Sequence, residues 1–207
     1  MADLDSIFKA YDVRGVVPDQ IDAALCEQIG AAFGRFVLDH ADGPAPRRVL
    51  VARDMRTSGV ELAGAFAEGV QHQGLDVVDL GLASTDLVYF AAGSRDAPAA
   101  MFTASHNPAQ YNGIKLCLAG ARPIGQDTGL TEIKRLVASG VAAAPTEPGR
   151  IEALDLLDDF ARHVRSFVDV SVLRPLKVVA DTANGMGGLV VPRVFDGLPF
   201  ELDLLYP

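Results

Sequence analysis

Short apolar runs rich in branched residues, separated by amphipathic stretches, constrain this chain more than any other feature. Arg48-Val49-Leu50-Val51-Ala52 shows no polar alternation, which is the pattern of a strand buried on both faces. Before it, Ile21, Leu25, Ile29, Phe33, Phe36 and Val37 recur at helical spacing and predict a helix over 21–39. Asp42-Gly43-Pro44 and Pro46 then read as a loop. After the run, Ser58 and Glu61 have the spacing of a capping box and Gly74 is a natural stop, so a second helix spans 58–73. Strand 75–80, helix 85–92 and strand 99–103 follow, then a strand over 114–118 too close behind for a helical crossover. The alternation predicts an α/β fold: a mixed, mainly parallel sheet covered by helices on both faces.

The chain's 207 residues exceed one domain of ordinary size and fall short of two. A helix over 127–139 precedes Gly140 to Gly149, a low-charge Pro/Gly/Ala stretch that reads as a linker. Residues 1–150 are therefore expected to form a first domain and 151–207 an incomplete second α/β domain. The second part reads as helix 155–168, strand 177–180, a Gly-rich turn, helix 189–195 and strand 200–205. A βαβ unit that stops on its second strand predicts an unfinished sheet. Val49-Leu-Val-Ala-Arg-Asp54 and Val178-Val-Ala-Asp181 echo one another, as two similar α/β domains in tandem would.

The formal charge of −9 and pI of about 4.8 lack the basic footprint of a nucleic-acid binder, while leaving room for a local anion site. The stretch between Asp96 and Lys115 carries no formal charge but is broken by Pro98, His106, Asn107, Pro108, Gln110 and Asn112. It cannot cross a bilayer, which takes about 20 apolar residues in succession. Two acids precede the first base at the N-terminus, unlike a secretory signal. Cys26 and Cys117 form no Cys-x-x-Cys pair and read as small buried hydrophobes in a reducing compartment. A cytoplasmic location is expected. His40, His72, His106 and His163 are scattered, and no carboxylate cluster has the spacing of a complete oxygen-ligand metal site.

Four loops hold groups that could do chemistry. Thr103 to Lys115 follows a buried strand, at the sheet end where open α/β folds bind ligands. It carries a hydroxyl (Ser105), an imidazole (His106), an amide (Asn107) and a cation (Lys115), punctuated by Asn107-Pro108 and Asn112-Gly113. If the group moved is a phosphoryl, positioning and positive charge supply most of the catalysis. Arg53-Asp-Met-Arg56-Thr-Ser-Gly59 sets two guanidiniums at a helix start, an anion site or a capping box with an Arg53–Asp54 surface pair. Phe8 to Gly15, with Tyr11 and Arg14, reads on its own as a docked tail. Asp181 to Gly188 matches a dinucleotide fingerprint only in part, because Val190 stands where its third glycine should fall.

Taken together these segments resemble the phosphohexomutase family, the phosphomannomutases and phosphoglucomutases of the α-D-phosphohexomutase superfamily. Ile7-Phe-Lys-Ala-Tyr-Asp-Val-Arg-Gly-Val-Val17 is similar to the family's opening, and Arg53-Asp-x-Arg-x-Ser-Gly59 to its second motif. Thr103-Ala-Ser-His-Asn-Pro108 with Tyr111-Asn-Gly-Ile-Lys115 resembles its catalytic serine loop. Val178-Val-Ala-Asp-x-x-Asn-Gly-x-x-Gly188 resembles the start of its second domain. Gly81-Leu-Ala-Ser-Thr-Asp86 departs from the family's Pro-Thr-Pro and keeps only Thr85.

The resemblance implies phosphohexomutase domain I plus part of domain II. It implies an intramolecular phosphotransferase in which Ser105 carries a phosphoryl group between the 1- and 6-positions of a hexose, mannose or glucose, through a bisphosphorylated sugar. Ser105, His106, Lys115 and Arg14 would be catalytic; Tyr11, Asn107, Arg53 and Arg56 would meet substrate. The family's Mg²⁺ is held by the serine phosphate and an Asp-x-Asp-x-Asp-Arg loop absent from this sequence. The ligand set is therefore incomplete here, and the chain alone is expected to turn over little or no sugar phosphate. A sugar bisphosphate would serve as activator, with no nucleic-acid or membrane partner. The rivals are phosphoglucosamine mutase, a nucleotide-binding module using the turn at Gly185, and a non-catalytic sugar-phosphate-binding protein.

Overall fold

The computed structural model describes residues 3–40, 47–144 and 147–207; the loop expected at 42–46 and residues 145–146 of the expected linker lie outside them. The first part runs α1 (Leu4–Ile7), β1 (Val13–Val16), α2 (Ala23–Asp39), β2 (Arg48–Arg53), α3 (Gly59–Gln71), β3 (Asp76–Leu82) and α4 (Thr85–Ser94). It continues through β4 (Ala99–Phe102), β5 (Tyr111–Leu118), β6 (Arg122–Pro123) and α5 (Leu130–Ser139). The rest comprises β7 (Ile151–Ala153), α6 (Leu157–Arg165), β8 (Leu176–Asp181), α7 (Gly187–Phe195) and β9 (Phe200–Leu205).

Among the described residues seven strands form one sheet in the order β1-β5-β4-β2-β3-β7, with β6 paired to β5. β4, β2, β3 and β7 are parallel, while β5 runs antiparallel to β4, β1 and β6. This is the mixed edge that the close spacing of two strands implies. The chain leaves β2 for β3 on one side and leaves β4 for β5 on the other. A switch point of that kind opens a crevice at the carboxyl ends of β2 and β4, where open α/β sheets receive ligands.

Side-chain alternation divides the core in two. Val49 and Val51 enter one cluster with α2, α3 and α5; Leu50 and Ala52 enter the other with α4 and Phe160 of α6. The α2–α3 crossing is close enough that a Cβ on Gly69 would lie 2.0 Å from the Glu27 carbonyl oxygen, and one on Gly30 2.1 Å from that of Phe66. Through it the rings of Phe33, Phe66 and Phe102 follow one another at centroid distances of 5.9 and 5.5 Å. Burying each such ring contributes about 1.5–3 kcal/mol. Cys26 and Cys117 are both buried and free, in opposite clusters. The sheet keeps them apart.

Three local readings change. The segment 8–15 read as a docked tail follows α1 and enters the edge strand β1, whose Val13 and Val16 pair with Ile114 and Tyr111 of β5. Ser58 is no capping-box residue: it is already helical (φ −66°, ψ −18°), and its hydroxyl accepts from Asn112 Nδ2 at 2.9 Å. The described end of the expected linker is tied down, with Gly149 N donating to Gln71 O at 3.0 Å and, just past it, Val77 N to Arg150 O at 2.7 Å. β7 then pairs with β3, and Leu156 and Phe160 enter the second core, so residues just beyond the expected 150/151 division pack on the large sheet. β8 and β9 form a separate parallel pair beside α7.

Candidate active site

The loop that carries Ser105 leaves the carboxyl end of β4 at Thr103, whose N–H donates to the Gly113 carbonyl at 3.0 Å. Thr103 Oγ1 accepts from Ser105 N at 3.0 Å, and Asn107 sends both its N–H and its Nδ2 to Ala104 O, at 3.1 and 2.9 Å. Ser105 is exposed and has φ +54°. A non-glycine residue occupies that left-handed region at a cost of roughly 1–2 kcal/mol, so the surrounding loop must hold it there. Its Oγ lies outward, 3.4 Å from His106 Nδ1.

Arg56 supplies the hold. It reaches over from the turn after β2, and all five of its side-chain N–H groups are engaged. Nη1 donates to Pro108 O and Tyr111 O at 2.8 and 2.9 Å, and Nη2 to Ser105 O and Asn107 O, both at 2.8 Å. Nε donates to Asp54 Oδ2 at 3.3 Å, while Asp54 Oδ1 accepts from Arg56 N at 3.0 Å. Asp54 is itself buried and tied to the β4 end through its N–H on Phe102 O at 2.9 Å. The guanidinium fork thus gathers four carbonyls of one loop, the kind of planar, multidentate work a lysine cannot do.

The cations stand on the neighbouring strands. Arg14 of β1 pairs with Gly113 of β5, and Lys115 lies two residues further along β5, on the same face. A Cβ on Gly113 would sit 2.2 Å from the Val13 carbonyl oxygen, so only glycine lets β1 approach here. Asp12 Oδ2 accepts from Arg14 Nη2 and, at 3.2 Å, from Lys115 Nζ. Tyr11 is 79% exposed, with its ring edge against the turn at Gly125. Arg53 is half-buried at the end of β2; among the described residues its guanidinium has no hydrogen-bond or ion-pair partner.

Residues 5–143 match the family model described as phosphoglucomutase/phosphomannomutase, alpha/beta/alpha domain I. The chain belongs to the phosphoglucomutase/phosphomannomutase family. It is similar to a protein named phosphohexose mutases from Xanthomonas campestris, 40% identical over 195 residues that make 94% of this chain and 42% of that one. It is also similar to an Escherichia coli phosphomannomutase, 36% identical over 204 residues, 96% of this chain and 44% of the relative. A solved phosphoglucomutase/phosphomannomutase family protein from Burkholderia thailandensis superposes with a TM-score of 0.82 at 36% identity, covering 100% of this chain and 44% of that one. The chain therefore spans less than half the length of these family members.

Within this phosphohexomutase fold the switch-point crevice brings together Ser105, His106, Asn107 and Arg56, with Arg14 and Lys115 on the strands alongside. Arg56 and Asn107 are both engaged by the serine loop. Arg56 has no donor left for a substrate, because the loop's carbonyls and Asp54 take all five. Asn107 turns one N–H of its side-chain amide back onto its own loop, as a residue that shapes the loop would. The supposed Arg53–Asp54 surface pair is instead a buried Arg56–Asp54 pair. Sequence reasoning gives Asp12 and Thr103 no role of their own, and reads Asp54 only as a partner of Arg53 and Asn112 only as a turn residue; Asp12 stands in the bend just before β1, two residues from Arg14. The described residues contain no group of three His, Cys, Asp or Glu side chains that could hold a metal ion. They do not by themselves fit the Mg²⁺ that the family resemblance implies.

The loop 81–86, where the family's prolines are missing, is held by other means. Asp79 Oδ1 accepts from Gly81 N at 2.8 Å, Ser84 Oγ caps α4 by accepting from Leu87 N at 3.2 Å, and Ala83 N donates to Arg53 O at 2.9 Å.

Proposed function

We propose that this chain is the serine-bearing part of a phosphohexomutase that interconverts the 1- and 6-phosphates of mannose, glucose or both through a phosphoserine at Ser105. The observation that carries the reading is an exposed hydroxyl on a strained, tightly clamped loop at the switch point, with two cations beside it. In the forward half, the bond from phosphorus to Ser105 Oγ breaks as one forms to a sugar hydroxyl oxygen, and the hydroxyl proton ends on Oγ. The bisphosphorylated sugar then returns its other phosphoryl to Ser105. Such a transfer asks the protein for positioning and charge stabilisation more than for covalent work. Arg14 and Lys115 fit the second need and the Arg56-clamped loop the first. His106, whose Nδ1 is 3.4 Å from Oγ, is suited to carry the proton. Arg53 and Tyr11 remain for contact with the sugar phosphate, and a sugar bisphosphate would prime the serine.

Mutase turnover of mannose 1-phosphate and glucose 1-phosphate by the full-length protein tests this. Ser105→Ala is expected to abolish turnover with the thermal midpoint unchanged. Turnover that survives the substitution would contradict the reading.

A further inference from the structure

Two cations on one face of a strand pair repel each other unless a carboxylate stands between them. Arg14 and Lys115 are in that situation, and Asp12 is the carboxylate. Its side chain is only 9% exposed, and a single oxygen, Oδ2, meets both Arg14 Nη2 and Lys115 Nζ. The backbone fixes Asp12 independently of either partner. Its carbonyl accepts from Lys9 N at 2.8 Å, Phe8 bridges to Val13 as an isolated β-pair, and Ala10 O accepts from Gln126 N at 2.8 Å. The carboxylate is therefore the fixed point, and the two long side chains are held to it. Arg14 is held on this side alone: its Nε is a buried donor with no partner among the described residues. Among the described residues the Asp12 carboxylate meets Arg14 and Lys115, and neither Ser105 nor His106.

We propose that Asp12 is a positioning residue for phosphoryl transfer, one oxygen of which holds Arg14 and Lys115 together on the face beside the serine loop. The inference rests on the reading of Ser105 as the phosphoryl carrier. A misplacement of about 1 Å in such groups can lower a rate about 100-fold, and a residue that acts only on the chemical step lowers kcat while leaving KM nearly alone.

The test uses the full-length protein with Asp12→Asn, which keeps the shape and removes the charge. Hexose phosphate turnover is measured together with the rate at which a labelled sugar bisphosphate phosphorylates Ser105. The expected result is kcat lower by about 10- to 100-fold with KM within about threefold of wild type. In a Lys115→Ala background the same substitution is expected to lower the phosphorylation rate at least about threefold less than in wild type, because one of the groups it acts through is gone. Wild-type kcat in Asp12→Asn, a rise in KM alone, or a penalty of the same size in both backgrounds would overturn the proposal. If Asp12→Asn does not fold, Asp12→Glu is judged by the same split between kcat and KM. A wild-type protein that never phosphorylates Ser105 defeats the functional reading and this inference together. An active wild type with an indifferent Asp12 variant defeats this inference alone.

Discussion

At position 56 a guanidinium with five N–H donors meets four inward-turned carbonyls and one buried carboxylate. Lysine offers three donors on a single nitrogen, which cannot span that set. Arg56→Ala would strand Asp54 as a buried charge and leave the loop carbonyls unpaired, a loss on the order of 3–5 kcal/mol. We expect Arg56→Lys to be destabilised as well, with hydrogen exchange at residues 105–111 accelerated more than in the sheet. Exchange that rises uniformly over the chain would contradict a local clamp. Little of this was legible beforehand. The sequence shows that Arg56 stands near a helix start, but not that the serine loop turns its carbonyls toward it. Ser58 misled for a related reason: its spacing to Glu61 is that of a cap, yet Asn112, distant in sequence, claims its hydroxyl.

Elements were easier to read than contacts. Val49 to Ala52 and Ala99 to Phe102 stand out because a strand covered on both faces must be apolar throughout. β1 escaped because Val13-Arg-Gly-Val16 is short, charged and glycine-containing, and its pairing partner lies about a hundred residues away. The α2–α3 crossing depends on glycines whose role is visible only in three dimensions. In Gly69→Ala the new methyl would meet the Glu27 carbonyl oxygen at 2.0 Å and the Ala31 nitrogen at 2.7 Å. Because both are backbone, the helices must part, and we expect a loss of about 1–3 kcal/mol by denaturant titration. Gly64→Ala in the same helix, where nothing lies within 4 Å of the added carbon, is expected to gain up to about 1 kcal/mol. Equal effects at both positions would contradict the close crossing.

Across the whole molecule, two cores separated by one sheet determine what solvent can reach. Burial pushes the Cys26 thiol up to about 12 and that of Cys117 up to about 11, from an ordinary 9.0. Below pH 9.0 both states hold neutral thiols and this contribution to stability is present in full. As pH rises toward 11–12 the unfolded chain ionises first, so the contribution falls and is lost above that range. We expect both thiols to resist a thiol reagent in the native protein at neutral pH and to react after denaturation. We also expect the stability difference between wild type and Cys26→Ala to fall by the amount of that contribution as pH climbs through the window. Rapid reaction in the native state would contradict the two-core packing. The same architecture leaves Ser105 outside both cores, at the crevice between β2 and β4, and the central claim concerns what that oxygen carries. The most direct measurement is a chase in the full-length protein: load it with a labelled hexose bisphosphate, add unlabelled hexose monophosphate, and follow the label by peptide mass and radioactivity. The account expects the label to appear on Ser105 and to pass to sugar within the turnover time. Label that never resides on Ser105, or that stays there while sugar phosphate turns over, would contradict it.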